Sequence, residues 1–270
     1  MRVVLVLLIG SMLLGAPCLT APARAELLVF EGFNYDAGTL SGKDGGFGFS
    51  GAWTGGSWKV AAGSLSYPAG STLPRTGNRA MEDDGVAEAS TQRSLSTTID
   101  LGAEGVYYFS MLMNKSDGGT SADALNVYFS GGGAQKARVG IGSNEAILFG
   151  LANGWTSGAG TLMPKDTDIL LVGKFIISAS QNDELHLVRY LPDDEVPLTE
   201  PINWPESTTA NMSGVIASIG LAMGVGTGQI DEIRIGTTWA SVTIPEPSAL
   251  VLLAGGMFAF LACTPRKRRR

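Results

Sequence analysis

Apolar residues along this chain come in short runs, rich in β-branched and aromatic types, with Gly, Asn, Asp and Ser between them. Such spacing predicts many strands joined by turns. Eleven strands are expected, over 27–31, 57–61, 93–101, 106–114, 124–130, 136–141, 146–151, 168–178, 184–191, 215–223 and 229–235. The alternation is cleanest in two of them. Glu184, His186, Val188 and Tyr190 should share one face, opposite Leu185, Leu187 and Arg189. Ile233 and Ile235 should face one way and Arg234 the other. No long 3.6-residue period runs through the middle of the chain, and residues 78–89 are expected to form one short helix or a loop. Eleven strands in about 215 residues predict an all-β domain, two antiparallel sheets packed as a sandwich or jelly roll. No strong internal repeat is visible.

The two ends break this pattern. Arg2, an apolar run from Val3 to Leu14, and Ala23-Arg24-Ala25 predict a secretory signal over 1–25. Ala23 and Ala25 are the small residues a signal peptidase reads, with the cut after Ala25. Cys18 raises lipid attachment as an alternative, although Pro17 before it fits that pattern poorly. At the other end, Pro245-Glu246-Pro247 precedes an apolar stretch over 249–263 and the basic residues Arg266, Lys267, Arg268, Arg269 and Arg270. About 15 apolar residues make a marginal span, since a stable one needs nearer 20. The basic cluster should stay on the cytoplasmic side, leaving residues 26–243 outside. The two prolines keep Glu246 in an extended segment that a protease can grip.

These three ordered parts, over residues 244–270, resemble the PEP-CTERM sorting signal of Gram-negative and related bacteria. The resemblance implies that the tail is a short transmembrane helix, recognised and cut by an exosortase in bacteria that make extracellular polysaccharide. An ordinary tail anchor with an accidental Pro-Glu-Pro is the other reading. The expected course is export, an inner-membrane intermediate, then release to the cell surface or beyond.

Charge sharpens the view of the middle. The ends hold seven of the 19 basic residues and all 25 acidic residues lie between Glu26 and Glu246, which leaves 12 basic against 25 acidic groups there, a net of −13. That sign disfavours nucleic acid as a partner. Cys18 and Cys263, the two cysteines, both lie in the terminal apolar stretches, so residues 26–243 offer no disulfide and no thiolate metal site. Glycine is abundant at 37 residues but has no Gly-X-Y period, which excludes collagen.

A second resemblance spans most of residues 26–243. Phe30-Glu31-Gly32-Phe33-Asn34-Tyr35-Asp36-Ala37-Gly38 with Gly51-Ala52-Trp53 looks like the opening of laminin-G-like, concanavalin-like domains. Leu171-Val172-Gly173-Lys174-Phe175 with Asn182-Asp183-Glu184-Leu185-His186-Leu187 is similar to their central hairpin, and Ile230 to Trp239 to their closing strand. The resemblance implies a jelly-roll sandwich that binds glycans or serves adhesion, sometimes with calcium.

Catalytic signatures are sparse. His186 is the only histidine, so any Ser-His-Asp site would have to use it, and a site with several His ligands is impossible. Glu82-Asp83-Asp84-Gly85-Val86-Ala87-Glu88 matches a spacing used by concanavalin-like hydrolases for two carboxylates. Gly85 weakens a strand there, and no Trp or Tyr is near to stack on sugar, so it reads as a solvated acidic loop. No Gly-x-x-x-x-Gly-Lys loop is present. Calcium would take oxygens from Asp44, Asp117-Gly118-Gly119, Asp193-Asp194-Glu195 or Asp231-Glu232, all of which also read as turn chemistry. Asp231 is the first choice, with pairing to Arg234 or Lys174 as its structural alternative. Among five tryptophans, Trp155 and Trp204 lie in Gly- or Pro-flanked loops and are the candidates for stacking on sugar; Trp53, Trp58 and Trp239 are expected in the core. The sequence thus predicts a non-catalytic surface or matrix module that meets polysaccharide. A concanavalin-like enzyme and a purely structural coat protein are the alternatives.

Overall fold

A computed structural model describes residues 26–244, apart from positions 72, 76, 84–88 and 117–123. Ala23, Ala25, the Pro245-Glu246-Pro247 motif, the basic tail and Asp117 lie outside the described residues. Within them, the alternation of the sequence resolves into two antiparallel sheets packed face to face, an all-β sandwich.

The larger sheet has nine strands. It runs β13 (Glu206–Ala210), β12 (Asp183–Tyr190), β11 (Ile169–Ile177), β6 (Gly105–Ser116), β15 (Thr227–Gly236), β4 (Arg79–Glu82), β3 (Lys59–Ala61) and β2 (Gly38–Thr39), with β1 (Leu27–Glu31) also on β15. The smaller sheet has six: β10 (Thr156–Leu162), β9 (Ala146–Leu151), β8 (Ala134–Ile141), β7 (Leu125–Gly131), β14 (Val215–Met223) and β5 (Ala89–Asp100). Both alternations expected from sequence are present. Leu185 and Leu187 enter the main core while Val188 and Tyr190 pack on the opposite face. Ile233 and Ile235 enter the core, and Arg234 lies over the Phe30 ring on the other side, 4.5 Å from its centre.

The space between the sheets is filled by alternate residues of both, with Phe109, Phe129 and Phe175 in mutual contact at 5.0–5.1 Å. Gly173 exists for this cluster: a Cβ there would lie 2.1 Å from the Phe109 ring. Trp53 and Trp58 are fully buried and Trp239 is 5% exposed, as the sequence predicts.

The expectation of a helix or loop over 78–89 is corrected in its first part. Arg79–Glu82 is strand β4, because Ala80 and Met81 find partners on β3 and β15. A short helix appears instead at α1 (Trp239–Thr243), closed by a capping box between Thr238 and Ser241. Among the described residues no helix is long and apolar enough to cross a membrane.

The two outer faces differ. That of the nine-stranded sheet is apolar (Tyr108, Leu112, Leu170, Val172) and is covered by Leu65, Tyr67, Val196, Trp204 and α1. Among the described residues no such second core lies on the outer face of the six-stranded sheet.

Candidate functional site

The six-stranded sheet turns Val127, Phe129, Ala137, Val139, Ile147, Phe149, Ile219 and Leu221 into the core. Period-two alternation therefore sends Asn126, Tyr128, Ser130, Lys136, Arg138, Ser218 and Gly220 outward. Register places Gln92, Gly220, Tyr128, Arg138 and Gly150 in one row across five strands. Trp155, directly before Thr156, which pairs with Phe149, completes the row.

The row is built for close approach. A Cβ on Gly150 would lie 1.8 Å from the Gly154 carbonyl oxygen, so only glycine lets the turn after β9 fold back here. That turn passes through Ala152 and Asn153 in left-handed conformations, φ 49 and 66. It lays the Trp155 indole against the Arg138 guanidinium. On its other side the guanidinium faces the Tyr128 ring, 5.4 Å from its centre. Arg138 is thus held between two aromatic side chains, and Trp155 remains 49% exposed.

Tyr128 separates two depressions. One, of about 400 Å³, is lined by Thr54, Gln92, Ser130, Gln135 and Gly220. The other, of about 340 Å³, is lined by Ser90, Asn126 and Ala222. Gly220 leaves the first open, since it puts no side chain between Gln92 and Tyr128. Unused polar groups point to a ligand. Asn126 is 5% exposed; its Nδ2 donates to the Ala124 carbonyl at 3.3 Å while its Oδ1 meets no donor. Arg138 Nε and Nη2 meet no acceptor. Burial lowers the pKa of Arg138, although a guanidinium stays charged at neutral pH. An aromatic pair beside neutral hydrogen-bonding side chains suits a polyhydroxylated ligand.

The other sequence candidates fall elsewhere. Trp204 is half-buried on the opposite side of the molecule. Its ring meets Trp239 edge-on at 5.9 Å and His186 at 6.0 Å, and its Nε1 donates to Glu200 Oε1 at 3.2 Å. Lys174 and Tyr108 also bind Glu200. Burial alone would raise the Glu200 pKa, but these three donors hold it below the usual carboxylate value. Trp204 therefore pins the segment before β13 to the sheet, and its flanking prolines gave no sign of that.

Asp231 sits at a bulge in β15, where the strand exchanges β4 for β1 as its neighbour. Its carboxylate accepts from Ser64 Oγ at 2.5 Å, Leu65 N at 3.0 Å and Glu232 N at 2.8 Å. Burial, helped by the charge of Glu232, pushes its pKa up to about 7. Neither expected partner is present: Arg234 pairs with Glu232, and Lys174 with Glu200. Donors surround Asp231 where calcium would need further oxygens. Among the described residues no group of three His, Cys, Asp or Glu side chains is placed to hold a metal ion. Asp44 is bound by Arg93, and Asp194 accepts from Leu191 N. His186 faces Glu184 at 2.7 Å, and buried Glu82 accepts from Ser57 Oγ at 2.7 Å.

Sequence reasoning named Trp155 and missed Tyr128, Arg138 and Asn126. Strand 124–130 was expected, and its alternation already put Asn126 and Tyr128 opposite Val127 and Phe129. The Gly132-Gly133 turn after it was the available signal that Arg138 would return beside Tyr128.

No protein-family model and no curated protein matches the sequence. Solved structures are similar at a distance. The T. cruzi calreticulin globular domain covers 88% of this chain and 95% of its own, with 12% identity and a TM-score of 0.44. The Ca2+-bound VIP36 exoplasmic/lumenal domain covers 73% of this chain and 88% of its own, with 10% identity and a TM-score of 0.41. A sialidase matches over 74% of this chain with 8% identity and a TM-score of 0.42, and this chain spans only 21% of its length.

Proposed function

We propose that this chain is an exported, non-catalytic module that holds carbohydrate on the open face of its six-stranded sheet. The observation that carries the reading is the Tyr128–Arg138–Trp155 row beside the unpaired Asn126 Oδ1. Aromatic faces take the apolar side of a sugar ring, and the neutral side chains of Gln92, Ser130 and Gln135 take its hydroxyls. The laminin-G-like, concanavalin-like motifs of the sequence support the same reading. No carboxylate lies in the row, which is the reason for assigning it binding and not glycoside hydrolysis.

Delivery belongs to the ends of the chain. Residues 1–25 direct export, and Pro245-Glu246-Pro247 with the apolar and basic segments after it forms a PEP-CTERM signal for an exosortase. The support is the ordered arrangement of those residues. The full chain, applied to a panel of immobilised polysaccharides, should retain at least one, and Tyr128→Ala should lose it at unchanged Tm. Retention on none of them would sink the binding reading. Replacing Pro245-Glu246-Pro247 by alanines should leave the tail uncut in cells; normal processing would sink the sorting reading.

A further inference from the structure

The binding face has a charge unlike that of the rest of the chain. The six strands that build it hold one carboxylate, Asp100, at the end of β5, where it accepts from Gly102 N at 2.8 Å. They hold three cations. Arg93 turns inward and is bound by Glu31 and Asp44. Arg138 and Lys136 turn outward, two residues apart on β8 and so about 7 Å apart along the strand. Residues 26–246 carry 25 acidic against 12 basic groups, yet among the described residues these six strands turn two cations outward against one carboxylate, Asp100, which lies at the far end of β5.

Arg138 is also unspent. Two aromatic rings fix its plane, and Nε and Nη2 have no acceptor. Nε and one Nη are the fork that meets a carboxylate with two parallel hydrogen bonds. A charged group with that geometry and no anion beside it is incomplete.

We propose that the face takes an acidic polysaccharide, with a uronate carboxylate paired to Arg138 and a neighbouring anionic sugar near Lys136. The inference rests on the carbohydrate reading above and specifies its ligand. The Trp155 indole lies against the same guanidinium, so its fluorescence reports a ligand that arrives there. The net negative charge of residues 26–246 works against a polyanion elsewhere on the domain.

The test compares one polymer in two charge states. The full chain is titrated with polygalacturonate and with the same polymer after reduction of its carboxyl groups to alcohols, following tryptophan fluorescence. The acidic form should bind at least ten-fold tighter, with affinity falling as salt rises. Arg138→Gln should remove most of that preference, and the surface variant Lys136→Gln a smaller part, which keeps the test valid if Arg138→Gln folds poorly. Equal binding of both polymers, or a preference unchanged in both variants, overturns the acidic-ligand inference and leaves the carbohydrate reading standing. Binding of neither polymer, nor of any other glycan, overturns both.

Discussion

Arg93 Nη1 and Glu31 Oε2 meet at 2.5 Å with each side chain only 1% exposed. The same carboxylate accepts from Phe33 N, Tyr35 Oη and Trp53 Nε1. Arg93 also donates to the Gly51 carbonyl and lies over the Phe49 ring. One pair thus ties β1 of the large sheet, β5 of the small sheet and the two loops between β1 and β3. Arg93→Met should cost about 3–5 kcal/mol, because it strands a buried carboxylate. Urea unfolding should show this, and the double variant Glu31→Gln/Arg93→Met should lose less than the two single losses combined.

Asp231 makes stability depend on pH. Burial lifts its pKa to about 7 in the folded chain, against an ordinary value near 4, so the folded state keeps a proton that the unfolded state has released. The contribution is fully present below about pH 4 and is lost as pH rises towards 7. The pKa of Glu200 is lowered and acts in the opposite direction, but only at lower pH. Tm should therefore fall between pH 5 and pH 8, and Asp231→Asn should flatten that fall. A wild-type slope retained in the variant would rule the assignment out.

The turn that carries Trp155 depends on Gly150. Gly150→Ala drives a methyl group into the Gly154 carbonyl and should cost about 1–3 kcal/mol. It should also displace the indole from Arg138, so carbohydrate retention should fall with stability. Thermal unfolding and the fluorescence of the folded variant measure the two effects separately.

Much of the architecture was legible because burial on one face imposes alternation. Leu27–Glu31, Ala146–Leu151 and Val215–Met223 occupy the strands expected for them. The strands that escaped notice lack that imprint. Arg79–Glu82 is Arg-Ala-Met-Glu, without a β-branched residue, and is held by its neighbours rather than by propensity. Glu206–Ala210 is a polar edge strand, and Thr156–Leu162 is rich in Gly and Thr. The site was less legible because it is a product of register. Tyr128 and Arg138 are ten residues apart, and only the pairing of β7 with β8 sets them side by side. Trp204 misled because loop composition suggests exposure, whereas the adjacent Trp239, His186 and Lys174 come from three other segments.

Trp204 should prove to be a clasp. Trp204→Ala removes its contacts with Trp239 and His186 and the hydrogen bond to Glu200, at a cost of about 1–3 kcal/mol. Leu198 and Ile202, 74% and 98% exposed, should then be cut faster by thermolysin, with cleavage confined at first to that segment.

The position of α1 decides which way the molecule faces. The helix packs on the covered side of the nine-stranded sheet, where Ser110 Oγ donates to the Val242 carbonyl at 2.7 Å, and the described chain ends one residue beyond it at Ile244. The row of Tyr128, Arg138 and Trp155 lies on the far side of the sandwich. Under the proposed C-terminal sorting, attachment through the segment after α1 would leave the open sheet facing away from whatever holds the tail, like a palm held away from the wrist.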